Sequence, residues 1–390
     1  MTTPASHATE PCTLRELLLY FLRLGAFGFG GPVALAGYMQ RDLVEERRWV
    51  SRQDYVEGLA LSQLSPGPLA AQLAMYLGWV RAGRMGATLV AAAFILPSLV
   101  MVLAISALYV HFGGLVWIQA AFYGIGAAVI AIIARSAFKL AKMTVGKDRL
   151  LIALFLVSAL VTGWTGEEIV WVFLGCGVVA LGAQLVRSRS AGSALLLAPL
   201  LPWLTEGLRG PGAGELWRIA WYFTEAGAFV FGSGLAIVPF LHGGVVERFG
   251  WLNERQFLDA VAVAMITPGP VVITVAFIGF LVAGLSGALV SATGVFLPPF
   301  LVVILLAPSV RGWSQDPRVK AFVNGVTAAA AGAIAGAAWV LGRRAIVDAT
   351  TAVLAVVTLL VLVKLRKVPE PLLILAAGAA GLLLRSFEWR

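Results

Sequence analysis

Two Pro-Gly-Pro tripeptides, Pro66-Gly67-Pro68 and Pro268-Gly269-Pro270, each follow a hydroxyl residue, Ser65 or Thr267. Proline lacks an N–H and biases its predecessor away from helix, so each tripeptide ends one helix and opens another. The first N–H groups of the new helix, near Leu69 and Val271, have no partner inside it, and the macrodipole leaves a positive end there. Such a terminus suits a tetrahedral anion, and Ser65 and Thr267 could add hydroxyl donors. Glycines cluster upstream of each tripeptide: Gly28, Gly30 and Gly31 in one case, Gly232 and Gly234 flanking Ser233 in the other. They would let the backbone approach an anion without a Cβ. Small residues also let membrane helices pack closely, and the glycines alone do not separate the two readings.

Ionisable residues in apolar surroundings are the next candidates. Arg23 and Glu225 both fall within apolar runs, as do Glu57 and Asp259, which precede the tripeptides. Charges inside a membrane are costly and usually pair or line a pathway. Arg23 could neutralise an anion, pair with Glu225, or snorkel to the interface. Glu57, Glu225 and Asp259 are candidates for proton coupling, although Glu57 and Asp259 could equally lie at the membrane surface. No catalytic residues are expected. The three histidines are not clustered, so neither a metal site nor another cofactor is expected. There is no P-loop signature for ATP, so transport would have to draw on a gradient.

These residues sit in a repeat. Phe21–Pro68 lies over Phe223–Pro270 without a gap, and fourteen of the 48 positions are identical, including Gly25-Ala26-Phe27, Trp49 and the tripeptide. The constant offset of 202 pairs Arg23 with Glu225, Glu57 with Asp259 and Ser65 with Thr267. Repeats holding Gly/Pro-interrupted apolar segments at matching positions point to the central site of a secondary transporter.

The elements that must hold such a site are membrane helices. Of the 390 residues, 60% are hydrophobic and 13% charged, against about a quarter charged in a soluble domain. Residues 85–110 and 285–310 carry no charge at all, and about 20 apolar residues suffice to cross a bilayer. The net charge of +9 lies mostly in short connections, where it would orient the chain rather than bind nucleic acid. Cys12 and Cys176 are too few for a disulfide framework, and the polar tail, 1–15, lacks the pattern of a removable signal.

Six apolar segments recur in each half: 16–40, 54–80, 85–110, 115–138, 150–164 and 167–186, then 217–242, 256–283, 285–310, 319–342, 349–363 and 371–385. The expected domains are a first repeat at 16–186, a Pro/Gly-containing linker at 187–214 and a second repeat at 215–390. Basic residues occupy opposite connections in the two halves: Arg81 and Arg84 stand where the second half has the uncharged 283–286, and Arg311, Arg318 and Lys320 where the first has 111–114, without Lys or Arg; Arg343 and Arg344, partly offset by Asp348, break the pattern at one position. Basic loops stay cytoplasmic, so the repeats read as inverted. Inversion needs an odd number of crossings, which makes the Pro-Gly-Pro segment a re-entrant hairpin beside about five spanning helices per half. A kinked full span, giving parallel halves, is the alternative.

The paired GAFGFGG-type and Pro-Gly-Pro motifs, each followed by an apolar run with a proline (Pro97, Pro298), resemble the chromate ion transporter family. The matching residues are Gly25–Gly31, Trp49 and Ser65–Pro68, then Gly227–Ser233, Trp251 and Thr267–Pro270, and the likeness extends over nearly the whole chain. The resemblance implies export of chromate across the cell (inner) membrane, driven by the proton motive force and conferring chromate resistance. The partners it implies are a chromate or sulfate-like oxyanion and the lipid bilayer; a homodimer is also allowed for. Two rival readings remain: uptake or exchange of sulfate or another tetrahedral oxyanion, and a membrane enzyme acting on a lipid phosphate.

Overall fold

A computed structural model describes residues 10–29, 31–112, 116–146, 148–165, 170–188, 214–229, 237–309, 316–346, 348–365 and 368–388. Gly30, Gly232, Ser233, Gly234 and most of the expected linker lie outside them. The described chain is nearly all helical. In order the helices are α1 (Leu14–Phe27), α2 (Gly31–Met39), α3 (Arg52–Leu64), α4 (Leu69–Phe112), α5 (Val116–Val145), α6 (Arg149–Thr165), α7 (Val170–Ser188), α8 (Glu215–Phe229), α9 (Ile237–His242), α10 (Glu254–Ile266), α11 (Thr274–Leu306), α12 (Pro317–Ala345), α13 (Ala349–Lys364) and α14 (Glu370–Glu388). α2 and α9 each run on into a π-helical turn, Gln40–Glu46 and Gly243–Arg248.

Four stretches are long and apolar enough to cross a membrane: Leu69–Phe112, Gln119–Lys139, Val271–Ser309 and Pro317–Arg343. With the shorter apolar helices α6, α7, α13 and α14 they make a multi-pass membrane protein. α4 and α11 are not single rods. Ala82 and Gly83 leave helical geometry, Gly83 at φ +56, and Ala283 and Gly284 do the same, Gly284 at φ +61. A Cβ on Gly78 would stand 2.5 Å from the Gly86 carbonyl oxygen, and one on Gly279 would stand 2.3 Å from that of Gly287. Eight residues of continuous helix span about 12 Å. The chain therefore doubles back at 82–83 and at 283–284, with glycines at the closest approach.

The segment before that turn doubles back as well. Ser51 caps α3 by accepting from the Asp54 N–H, and the helix ends at Leu64, where Ser65 turns to extended backbone. It resumes at Leu69. α3 then packs on the arm 69–81: a Cβ on Gly58 would fall 2.4 Å from the Tyr76 ring and 3.1 Å from Leu73. α3 has 13 residues, about 20 Å of helix, and the arm is of similar length. The second repeat has the same plan, with Asn253 and Gln256 forming a capping box on α10 and a single 3-10 turn, Val271–Ile273, opening α11.

The first apolar segment, 16–40, is two helices: α1 stops at Phe27, Gly28 is extended (φ −80, ψ 105) and α2 begins at Gly31, at φ +75. Gly31 adopts the left-handed conformation that only glycine takes without strain, so the glycine cluster interrupts the helix.

The outer helices fix directions. α6 and α12 run parallel, since Gly332 lies against Phe155 and Gly336 against Ala159. α5 and α14 run antiparallel: Gly381 touches Ala120, and Gly124 touches Ala377. Between α12 and α13, Asp348 caps α13 and accepts a hydrogen bond from the Tyr123 hydroxyl at the start of α5. The Thr351 N–H and that hydroxyl hold its carboxyl below the usual carboxylate range.

Candidate functional site

The two Pro-Gly-Pro breaks lie inside the core, each covered by the opposite repeat. Gly269, at φ +94, donates its N–H to the Gly28 carbonyl at 2.9 Å. A Cβ on Gly269 would fall 1.9 Å from Ser98 Oγ and 3.2 Å from the Gly25 carbonyl oxygen. Ser98 itself donates to that carbonyl at 3.2 Å. In the mirrored contact, Gly67 (φ +135) is so close to Pro299 that a Cβ would stand 2.5 Å from the proline Cβ. The residues beside Pro97 and Pro298, deep in the long arms, thus close the breaks.

α1 and α8 pack on those arms in the same way. Gly25 abuts the Phe94 carbonyl and Gly227 the Val295 carbonyl, with room for no side chain at either position. Both glycines are therefore needed for helix contact.

Each break leaves backbone donors unused. In the first, Gln72 N–H bonds the Pro68 carbonyl at 3.0 Å, whereas the N–H groups of Leu69, Ala70 and Ala71 have no acceptor among the described residues. All three residues are buried. In the second, Ile273 N–H bonds Pro270 O at 3.0 Å, and the N–H groups of Val271 and Val272 are left over. Buried backbone donors without partners are rare in folded proteins. The hydroxyls point elsewhere: Ser65 Oγ donates to Leu61 O at 2.6 Å and Thr267 Oγ1 to Val263 O at 3.0 Å, each closing the last turn of its helix. Their protons are thus spent on their own helices, and Ser65 Oγ accepts from Gln72 Nε2 at 3.1 Å.

The candidate carboxylates fall into different settings. Asp259 is 4% exposed and accepts a 2.7 Å hydrogen bond from Tyr109, at the far end of α4 in the first repeat. Its counterpart Glu57 is partly exposed and held by Gln53 Nε2 at 3.1 Å and the Tyr76 hydroxyl at 3.3 Å. Glu225 Oε2 is buried with no hydrogen-bond partner among the described residues. Arg23 is exposed on the flank of α1 opposite Phe21, Leu24 and Gly25, and it forms no ion pair with Glu225. The breaks do not gather Arg23.

Three contributors escaped the sequence reading: Ser98, Tyr109 and Gln72. Ser98 and Tyr109 act on the other repeat, which no local pattern reveals. Gln72 carried a signal, as the lone amide in the apolar stretch just after the tripeptide.

The chromate transporter family model matches residues 15–181 and again 217–382, once over each half. The chain belongs to the chromate transporter family. It is 55% identical over 381 residues to the chromate transport protein of Cupriavidus metallidurans, covering 96% of this chain and 94% of that protein. It is 52% identical to a probable chromate transport protein of Synechococcus elongatus, covering 97% of each. With the chromate transport protein of Pseudomonas aeruginosa it shares 31% over 83% of this chain and 80% of the other. No solved structure matches.

Proposed function

We propose that this protein is a secondary active transporter that carries chromate across the cell membrane, exporting it at the expense of the proton motive force. The observation that carries the reading is the pair of buried breaks, where N–H groups of Leu69, Ala70, Ala71, Val271 and Val272 stand without acceptors. An oxyanion is the ligand class that such helix ends recognise, and the names of the family members supply chromate. The substrate-binding set is the two breaks, Ser65–Pro68 and Thr267–Pro270, with the glycine cluster at Gly28, Gly30 and Gly31 and its counterpart at Gly232, Ser233 and Gly234. Arg23 acts at longer range, through its charge at the flank of α1.

Inverted repeats with re-entrant hairpins are part of the same proposal. Residue pairs in contact agree with it: Arg255 bonds Gln119 O at 2.9 Å, and Glu370 lies near Arg135 and Lys139. These pairs join connections that the charge pattern assigns to one side. The parallel course of α6 and α12 also makes α12 antiparallel to its repeat counterpart α5, which meets α6 through the tight turn at Gly146. Half-helices whose positive ends meet an anion at the repeat interface are a known transporter architecture.

For proton coupling, Asp259 is the strongest of the three carboxylates, because it is buried and bridges the repeats through Tyr109. Reconstituted protein tests the whole reading: chromate should enter inside-out vesicles when a proton gradient is imposed and stop when it is collapsed. Chromate movement indifferent to the gradient would remove the coupling; no movement at all would remove the transport reading.

A further inference from the structure

Gln72 stands outside the repeated motif; its counterpart by the constant offset is Thr274. It is fully buried in the first turn after the Pro66–Pro68 break. Its Nε2 donates to the Pro66 carbonyl at 2.7 Å and to Ser65 Oγ at 3.1 Å. The carboxamide lies directly on Gly67, where a Cβ would stand 2.7 Å from both Cδ and Nε2. A carbonyl can only accept, so Pro66 fixes the nitrogen on its own side and turns Oε1 away. Oε1 is buried and has no hydrogen-bond partner among the described residues. An unpartnered acceptor thus shares one helical turn with the unpartnered N–H groups of Leu69, Ala70 and Ala71.

Donors alone would accept any tetrahedral oxyanion. Donors beside a buried acceptor ask for an ion that has both bare oxygens and a hydroxyl. We propose that Gln72 is a specificity residue that selects the monoprotonated oxyanion, hydrogen chromate, over a fully ionised tetrahedral dianion such as sulfate. The proposal rests on the transport reading above. The bare oxygens accept from the backbone N–H groups while the ion's O–H donates to Gln72 Oε1. Chromate holds its last proton tightly enough to exist partly as hydrogen chromate near neutral pH, whereas sulfate there has only acceptors. Sulfate would face the Oε1 lone pairs with an anionic oxygen and leave that acceptor unpaired. A site built to bond a substrate hydroxyl rejects the analogue lacking it, because its own buried polar group is stranded. The second break lacks this device. Thr274 Oγ1 donates to Val271 O at 2.7 Å, so the discrimination belongs to the first break.

The test is labelled chromate flux in proteoliposomes at fixed neutral pH, with sulfate and inorganic phosphate as competitors. Phosphate keeps an O–H at that pH. In the wild-type protein phosphate should inhibit more strongly than sulfate. In Gln72→Met, which keeps the volume and removes the acceptor, sulfate should gain on phosphate as a competitor by on the order of tenfold. Sulfate inhibiting the wild type as well as phosphate overturns the proposal, and that arm requires no variant. A Gln72→Met protein that transports with the wild-type ranking overturns it too. Wild-type vesicles with no chromate flux would instead defeat the transport reading, and the role of Gln72 with it.

Discussion

Replacing Gly269 with alanine perturbs the centre of the molecule in two separable ways. The residue sits at φ +94, where an L side chain costs about 1–2 kcal/mol. The new Cβ would also fall 1.9 Å from Ser98 Oγ, with Ser98 Cβ at 3.1 Å and the Gly25 carbonyl oxygen at 3.2 Å. Ser98 is fully buried, so relieving that overlap by shifting the packed arms costs about 1–3 kcal/mol more. The expected loss for Gly269→Ala is therefore about 2–5 kcal/mol, the sum of the strain and overlap estimates. Ser98→Ala removes the colliding oxygen and, by itself, forfeits one hydrogen bond, about 1 kcal/mol. The double variant should then be more stable than the two single losses predict, by about the 1–3 kcal/mol of relieved overlap. Thermal unfolding of the purified protein in detergent, followed by loss of helical signal, measures all four members of the cycle. Strict additivity within about 0.5 kcal/mol, or a Gly269→Ala protein that melts like wild type, would refute the cross-repeat packing of Gly269 on Ser98.

Four other outcomes are expected. Gly67→Leu should abolish chromate flux while the protein still inserts, since Pro299 and the Gln72 carboxamide fill the space at Gly67; normal flux would make the break a mere kink. A cysteine at Ala82 should react with an impermeant thiol reagent only from the cytoplasm and one at Leu285, which is exposed, only from outside, whereas labelling from one side would favour parallel halves. Asp259→Asn should uncouple chromate flux from the proton gradient, and Tyr109→Phe, losing the 2.7 Å bond, should weaken coupling without abolishing it; full gradient dependence in Asp259→Asn assigns the proton elsewhere. The swap Arg23→Glu with Glu225→Arg should leave transport dead even where each protein folds, because the two residues do not pair; restored flux would remove both from the mechanism.

Much of this fold is legible in the residues because its devices are local. Proline chemistry marks the end of α3 at Leu64 and the restart at Leu69, and the uncharged runs mark the long arms. What was missed depends on rotation or on distant partners. Arg23 looked central because its surroundings in sequence are apolar, yet the buried positions of α1, Leu17, Tyr20, Phe21, Leu24 and Gly25, turn it outward. Gly28, Gly30 and Gly31 read in sequence as positions of close approach, because nothing nearby shows that Gly28 O is claimed by Gly269 N–H from the other repeat. Offsets drift as well: the tripeptides match at 202, but Gly83 and Gly284 match at 201, so the covering partners Ser98 and Pro299 align only once that slip is allowed for.

That Pro299 covers Gly67 has a consequence for synthesis. The first break is made long before its cover exists, because more than two hundred residues separate Pro68 from Pro299. At about 5–20 residues per second, the nascent chain waits roughly 10–50 s. Throughout that interval the first hairpin would present irregular backbone, with unsatisfied donors, to whatever surrounds it. Lipid cannot hydrogen-bond those groups, so the hairpin must be sheltered by the insertion machinery or remain at the aqueous surface until the second half arrives. Burial of the first break should thus be one of the last events in biogenesis, and truncation just before Pro299 should yield a chain that inserts its long helices yet stays open to proteases at 65–68.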